Sequence, residues 1–251
     1  MEGFDLFDTH YWQPLAQFGY TNAFFNISRT TVINTWIVLA IIFVTGICIR
    51  SIIKRDPDDI LRYVVMSFIV TFKDMVDQTL GFFSLKHFAF VASLFIYIVL
   101  CNCISIIPGT EEPTRDLNTT LALGIISFLY VQIYAIKAHG LLTYIKEFFA
   151  PFFLMLPLNV IGKLATIISM SFRLFGNIFG GSTIAAIYFR IIYGAPWLEA
   201  LGSFTGINLL IILFFGIFEG VIQAFVFAML TLTYLSTAIT HEFPEEQEGI
   251  P

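Results

Sequence analysis

From Thr30 to Ile49 the sequence carries no charged residue. A helix of ~20 apolar residues is long enough to cross a hydrocarbon core of ~30 Å. Further uncharged runs occupy residues 88–108 and 117–136. Only 12% of the 251 residues are charged and 57% are hydrophobic, against ~25% charged in an ordinary soluble domain. So much apolar surface cannot be clothed for water. The chain reads as an all-α polytopic membrane protein in a single membrane domain, residues 1–251, with about five membrane helices.

The charges set an orientation. Arg50, Lys54, Arg55 and Arg62 follow the first span, residues 30–49, while Arg29 alone precedes it. The positive-inside rule then places residues 1–29 outside and the tail, residues 241–251, in the cytoplasm. Residues 88–108 and 117–136 form a hairpin whose outer loop carries Glu111, Glu112, Arg115 and Asp116. Arg50, Lys54, Arg55, Arg62, Lys73, Lys86, Lys137, Lys146 and Lys163 all fall inside on this scheme, and Arg29 and Arg115 outside. The N-terminus has Glu2, Asp5 and Asp8 but no basic residue before Arg29, unlike a cationic signal peptide, so the first span is expected to be retained.

Asp56 and Pro57 read as an N-cap and first helical residue, which predicts a helix over 57–81. Its charges Asp59, Arg62, Lys73 and Asp77 fall within about a quarter-turn of one another at 100° per residue. That makes it an interfacial amphipathic helix, with a second crossing as the alternative. Beyond Pro157 the pattern predicts two long helices, 157–193 and 205–240, broken at Gly194, Ala195 and Pro196. Each would be ~50 Å long at ~1.5 Å per residue, too long to stand upright, and the pair is expected to form a steeply tilted hairpin.

Arg173 lies inside the first of these helices. A guanidinium at membrane depth costs from ~3 to well over 10 kcal/mol, so it calls for an ionic partner, a hydrated cavity or an ion pathway. Thr166, Ser169, Gly176, Asn177 and Gly180 share its face. Small residues there admit a close neighbour, and Gly176 and Gly180 alone would suit a helix-packing seam. Packing does not account for the arginine. On the second helix Asn208, Glu219, Gln223 and Tyr234 lie near one stripe beside Gly216 and Gly220. If the helices are antiparallel neighbours, Gln223 faces Arg173 with Glu219 one turn away. Glu219 then either pairs with Arg173 or serves as a proton relay while Arg173 meets a carboxylate of a partner.

Other chemistries lack their residues. There is no HExxH, no Ser-His-Asp set, no P-loop and no cluster of Asp ligands. His10, His87, His139 and His241 sit at predicted termini or loop edges. Cys48, Cys101 and Cys103 match neither a zinc site nor a CxxC pair. No cofactor, metal or nucleic-acid partner is implied. An independent secondary transporter or channel is the alternative, though it would be expected to carry its own intramembrane carboxylate or broken helices.

SFRLFGNIFGG (171–181) and IQAFVFAMLTLTYLS (222–236), with PTRDLNTTLAL (113–123) and PLNVI (157–161) in order before them, resemble subunit a of the F-type ATP synthase. The resemblance implies a non-catalytic, ion-translocating stator subunit, with protons as the expected ion. Its partners would be a ring of c-subunits, the b-subunit peripheral stalk, other ATP synthase subunits and the lipid bilayer. The membrane would be the bacterial inner membrane, or alternatively that of an organelle. The long hairpin would lie against the c-ring, with two offset half-channels leading to the ring carboxylates. Arg173 matches the family's essential arginine, Asn177 and Gln223 its polar neighbours, and Asp116 and Asn118 polar residues near the outer half-channel. The arginine would keep a passing carboxylate ionised and bar a direct proton leak. The chain departs from the pattern at Ser182 and Gly216, where acidic or His residues are common, and at Gly162 and Lys163. Glu219 stands one turn from Gly216 as a candidate replacement.

Overall fold

The computed structural model describes residues 11–12, 27–56, 59–107, 110–149, 152–193 and 195–240. Most of the expected outer segment, Pro57, Gly194 and the whole tail 241–251 lie outside the described residues. Apart from a two-residue antiparallel ladder, β1 (Tyr11–Trp12) with β2 (Ile27–Ser28), the described chain is helical. Five helices are long and apolar enough to cross a membrane, as expected of a polytopic membrane protein.

α1 (Arg29–Ile53) starts at Ser28, whose hydroxyl accepts from the Thr31 N–H at 3.3 Å. This supplies one of the acceptors that a helix N-terminus otherwise lacks. α2 (Ile60–Leu80) is capped by Asp59 rather than Asp56, through the Leu61 N–H at 3.0 Å. Gly81, at φ 75°, closes it in a left-handed turn that side chains other than glycine's resist. α2 is not among the five apolar helices. It buries Phe72, Val76 and Leu80, leaves Lys73, Asp74 and Asp77 exposed, and packs on α1, α3 (Leu85–Cys103) and the last helix, Glu219–Thr240.

After α3 a tight turn, Pro113–Arg115, leads into α4 (Leu117–His139). Asp116 caps α4 by accepting from the Asn118 N–H at 3.0 Å. Gly140 ends it, and a short amphipathic helix, α5 (Leu141–Phe149), follows. α6 (Leu156–Tyr193) is 38 residues long, about 57 Å at ~1.5 Å per residue. The return is more broken than the sequence pattern suggests. α7 (Pro196–Phe204), Gly206 at φ 74° and α8 (Ile207–Ile211) precede a π-helical segment, Ile212–Phe218, and only then comes α9 (Glu219–Thr240).

α9 is the centre of the bundle and packs on α2, α3, α4 and α6. Its Ala224 and Phe227 join Leu94, Ile98, Leu174 and Ile178 in one core cluster. Its Ala228, Leu232 and Leu235 join Val76, Val91 and Val131 in a second. With the lipid side of each helix already apolar, this interior is held by close packing and a few interhelical hydrogen bonds more than by expulsion of water.

Candidate functional site

α6 and α9 run antiparallel with a defined register. The Asn177 side-chain amide donates to Gln223 Oε1 at 2.6 Å. One turn further along α6 and one turn back along α9, Gly181 lies under Glu219: a Cβ at Gly181 would sit 2.6 Å from Glu219 Oε2. Gln223 is buried and thus faces Asn177 rather than Arg173. Arg173 is one turn beyond that pair, and Glu219 is matched to Gly181, about 12 Å along α6 from Arg173 at ~1.5 Å per residue. The two do not pair. Glu219 and Gln223 share regular α9, so their offset from Arg173 is an axial shift of α9 along α6; the π segment changes only the phase at which Glu219 follows Asn208. Asn208 takes partners of its own, accepting from the Tyr188 hydroxyl at 2.8 Å and donating to Ser203 at 3.2 Å.

Arg173 is exposed and forms no hydrogen bond or salt bridge with any described residue. Ser169, Gly176 and Asn177 are exposed beside it. No described residue lies within 4 Å of a Cβ built at Gly176 or Gly180, so no described helix fills the small-residue seam. The face that carries the arginine is uncovered among the described residues.

Glu219 is different. Its Oε2 is buried and has no hydrogen-bond partner among the described residues, and it sits against Gly181 and near Phe215. Leaving a carboxylate oxygen buried and unsatisfied is costly, which marks the group as more than a packing element. Ser182, next to Gly181, turns its hydroxyl back to the Phe179 carbonyl at 3.1 Å. Asp116 is occupied in capping α4, and Asn118 is exposed on the first turn of that helix. Arg115, just before it, stacks over the Phe179 ring of α6 at 5.8 Å.

At the opposite end of the same helices lies a cavity of about 180 Å³ between α4, α5, α6 and α9. Ser127, Gln132, Thr166, Thr231 and Tyr234 contribute polar wall, and Lys163 and His139 also line it. The Ser127 hydroxyl is buried without a partner. Lys163 Nζ lies over the Tyr144 and Phe148 rings at 4.5 and 4.1 Å.

Arg173 is therefore flanked along α6 by the Gly181 and Glu219 contact on one side and, on the other, by a mainly apolar cavity at Lys163 to Met170 with a few polar groups in its wall. Against this geometry stand the comparisons with known proteins. The family model "ATP synthase A chain" matches residues 32–236. The chain belongs to the ATP synthase A chain family. It is 37% identical over 214 residues to ATP synthase subunit a of Moorella thermoacetica, covering 84% of this chain and 90% of that one. It is 32% identical to ATP synthase subunit a 2 of a Picosynechococcus species over 86% and 88% of the two chains. For ATP synthase subunit a of Syntrophobacter fumaroxidans the values are 33%, 82% and 83%. The resemblance seen in SFRLFGNIFGG is thus borne out over most of the chain.

Sequence reasoning missed Asn102, Thr114 and Gly181. Asn102 and Thr114 are 1% and 0% exposed and hydrogen-bonded to each other, yet nothing in periodicity distinguishes them from neighbouring small residues. Gly181 had a weak signal, as one of a pair of adjacent glycines in an apolar helix.

Proposed function

We propose that this chain is the ion-translocating stator subunit of a rotary F-type ATP synthase, with the open face of α6 set against a ring of c-subunits. The observation that carries the reading is Arg173: a charge without a partner among the described residues, on an exposed face where a Cβ at Gly176 or Gly180 would meet none of them within 4 Å. Its counter-charge is a rotor carboxylate, presented by one c-subunit after another. Held there, the guanidinium favours the ionised carboxylate and repels protons that would slip directly between the two sides.

The Glu219 site and the cavity that flank Arg173 serve as the offset half-channels. The outer one runs past Asp116, Asn118 and Ser182 to Glu219, which acts as relay. The inner one is the cavity walled by Ser127, Thr166 and Thr231. The Asn177–Gln223 bond separates them and fixes α6 on α9. Protons must then ride the ring, and each charge crossing yields ~2.3 kcal/mol per 100 mV of membrane potential. The remaining partners are the peripheral b-subunit and the other ATP synthase subunits, on which the ATP chemistry takes place. The setting is a bacterial inner membrane, with the N-terminus outside and the C-terminus in the cytoplasm.

The test is Arg173→Ala in membranes containing the assembled complex. ATP-driven proton pumping is expected to disappear while the complex remains assembled. Normal coupled pumping in that variant would refute the mechanism.

A further inference from the structure

The last turn of α3, the Pro113–Arg115 turn and the first turn of α9 meet in a hydrogen-bonded chain that has no water contact. The Thr114 hydroxyl donates to Asn102 Oδ1 at 2.6 Å, and the Asn102 amide donates to the Gly220 carbonyl at 2.9 Å. Both side chains are buried, at 0% and 1% exposure. The approach is close enough that a Cβ at Gly220 would lie 2.8 Å from Asn102 Cβ. An amide buried at the end of an apolar helix is disfavoured unless its polar atoms are matched, and a leucine of the same shape would pack as well. What the amide adds is direction.

That direction falls on the place in the molecule where helix phase is least determined. The Glu219 N–H bonds to the Phe214 carbonyl five residues back, so the π segment ends at Glu219 and regular α9 begins there. Were the boundary to slip by one residue, Glu219 would swing by about 100° around the helix axis, away from Gly181. We propose that Asn102, oriented by Thr114, is a positioning residue for Glu219: by holding the Gly220 carbonyl it fixes the rotation of α9 that lays the Glu219 carboxylate over Gly181. It also ties that carboxylate to the loop before α4, so the outer mouth and the relay group keep one geometry. The inference rests on Glu219 being the relay group of the outer half-channel.

The experiment compares Asn102→Leu, Thr114→Val and Thr114→Ser in the complete complex reconstituted into liposomes, with c-subunit content as the check on assembly. Two quantities are read: passive proton conduction, and the Glu219 carboxyl band in infrared difference spectra, assigned by its loss in Glu219→Gln. Asn102→Leu and Thr114→Val are expected to lower conduction by about tenfold, as when a buried hydrogen bond to an aligned group is lost, and to shift the Glu219 band. Thr114→Ser, which keeps the hydroxyl, restores both. Conduction that falls while the band stays in place would mean general loosening and overturns the proposal. So would unchanged conduction in Asn102→Leu, or a Thr114→Ser variant that behaves like Thr114→Val. Failure of the stator reading itself is seen separately, in normal pumping by Arg173→Ala.

Discussion

Replacing Gly181 by alanine separates stability from ion delivery. The added methyl would lie 2.6 Å from Glu219 Oε2 and 3.0 Å from Phe215 Cδ1. Comfortable contact needs ~3.5 Å or more, so the carboxylate must retreat by about 1 Å. It can do so, because it is the far end of a flexible side chain. The helix itself gains, since alanine is favoured over glycine in a helix interior by about 1 kcal/mol. Folding and assembly should therefore be unharmed or slightly improved. Ion delivery should not be, because displacing a working group by about 1 Å can lower a rate by roughly 100-fold. The assay is ATP-driven acidification of inverted membrane vesicles and passive conduction after removal of the catalytic sector, each normalised to the amount of assembled complex. Assembly at the normal level with conduction greatly reduced is the expected result. Full conduction in Gly181→Ala would show that the position of the Glu219 carboxylate does not matter, and loss of the complex would show that the glycine is structural.

Gly220→Ala should behave in the opposite way, since its Cβ would meet Asn102 Cβ at 2.8 Å, an atom anchored to its own backbone. Overpacking of that kind costs about 1–3 kcal/mol, and a lower melting temperature of the purified complex would register it; an unchanged melting temperature contradicts the close approach. At Gly176 an added Cβ meets no described residue within 4 Å, so with Gly176→Leu the subunit should fold and insert normally but lose c-ring-coupled pumping, and normal pumping would argue that no rotor packs on that face. Asp59 is held below the usual carboxylate range by the Leu61 N–H and by Arg55. A carboxylate with a depressed pKa stabilises above its unfolded value and ceases to as pH falls through the folded one. The first turn of α2 should accordingly lose amide-exchange protection in acid, whereas equal protection across that range would dismiss the cap.

The membrane helices were legible because their signal is additive: a run of uncharged residues such as 30–49 has few alternatives in water or lipid. Arg173 was legible for the converse reason, being a charge where the cost of charge is highest. Ser169, Gly176 and Asn177 could be assigned to its face because α6 is regular over the whole of that stretch, and 100° per residue carries the phase without error. The same arithmetic failed on the partner helix. The pattern phases Asn208 with Glu219 and Gln223 as if one α-helix joined all three, but Ile212–Phe218, between Asn208 and Glu219, is π-helical, and no residue in ILFFGIF signals a change in hydrogen-bond spacing. Just beyond that segment Gly220 accepts a hydrogen bond from Asn102 of another helix, a contact that no period in the sequence reveals. Sequence periodicity can place a residue on a face only while the helix obeys one period. Periodicity also carries no axial offset between two helices: Gln223 is expected opposite Arg173 but sits opposite Asn177, which leaves Glu219 one turn further from Arg173 than the pattern predicts.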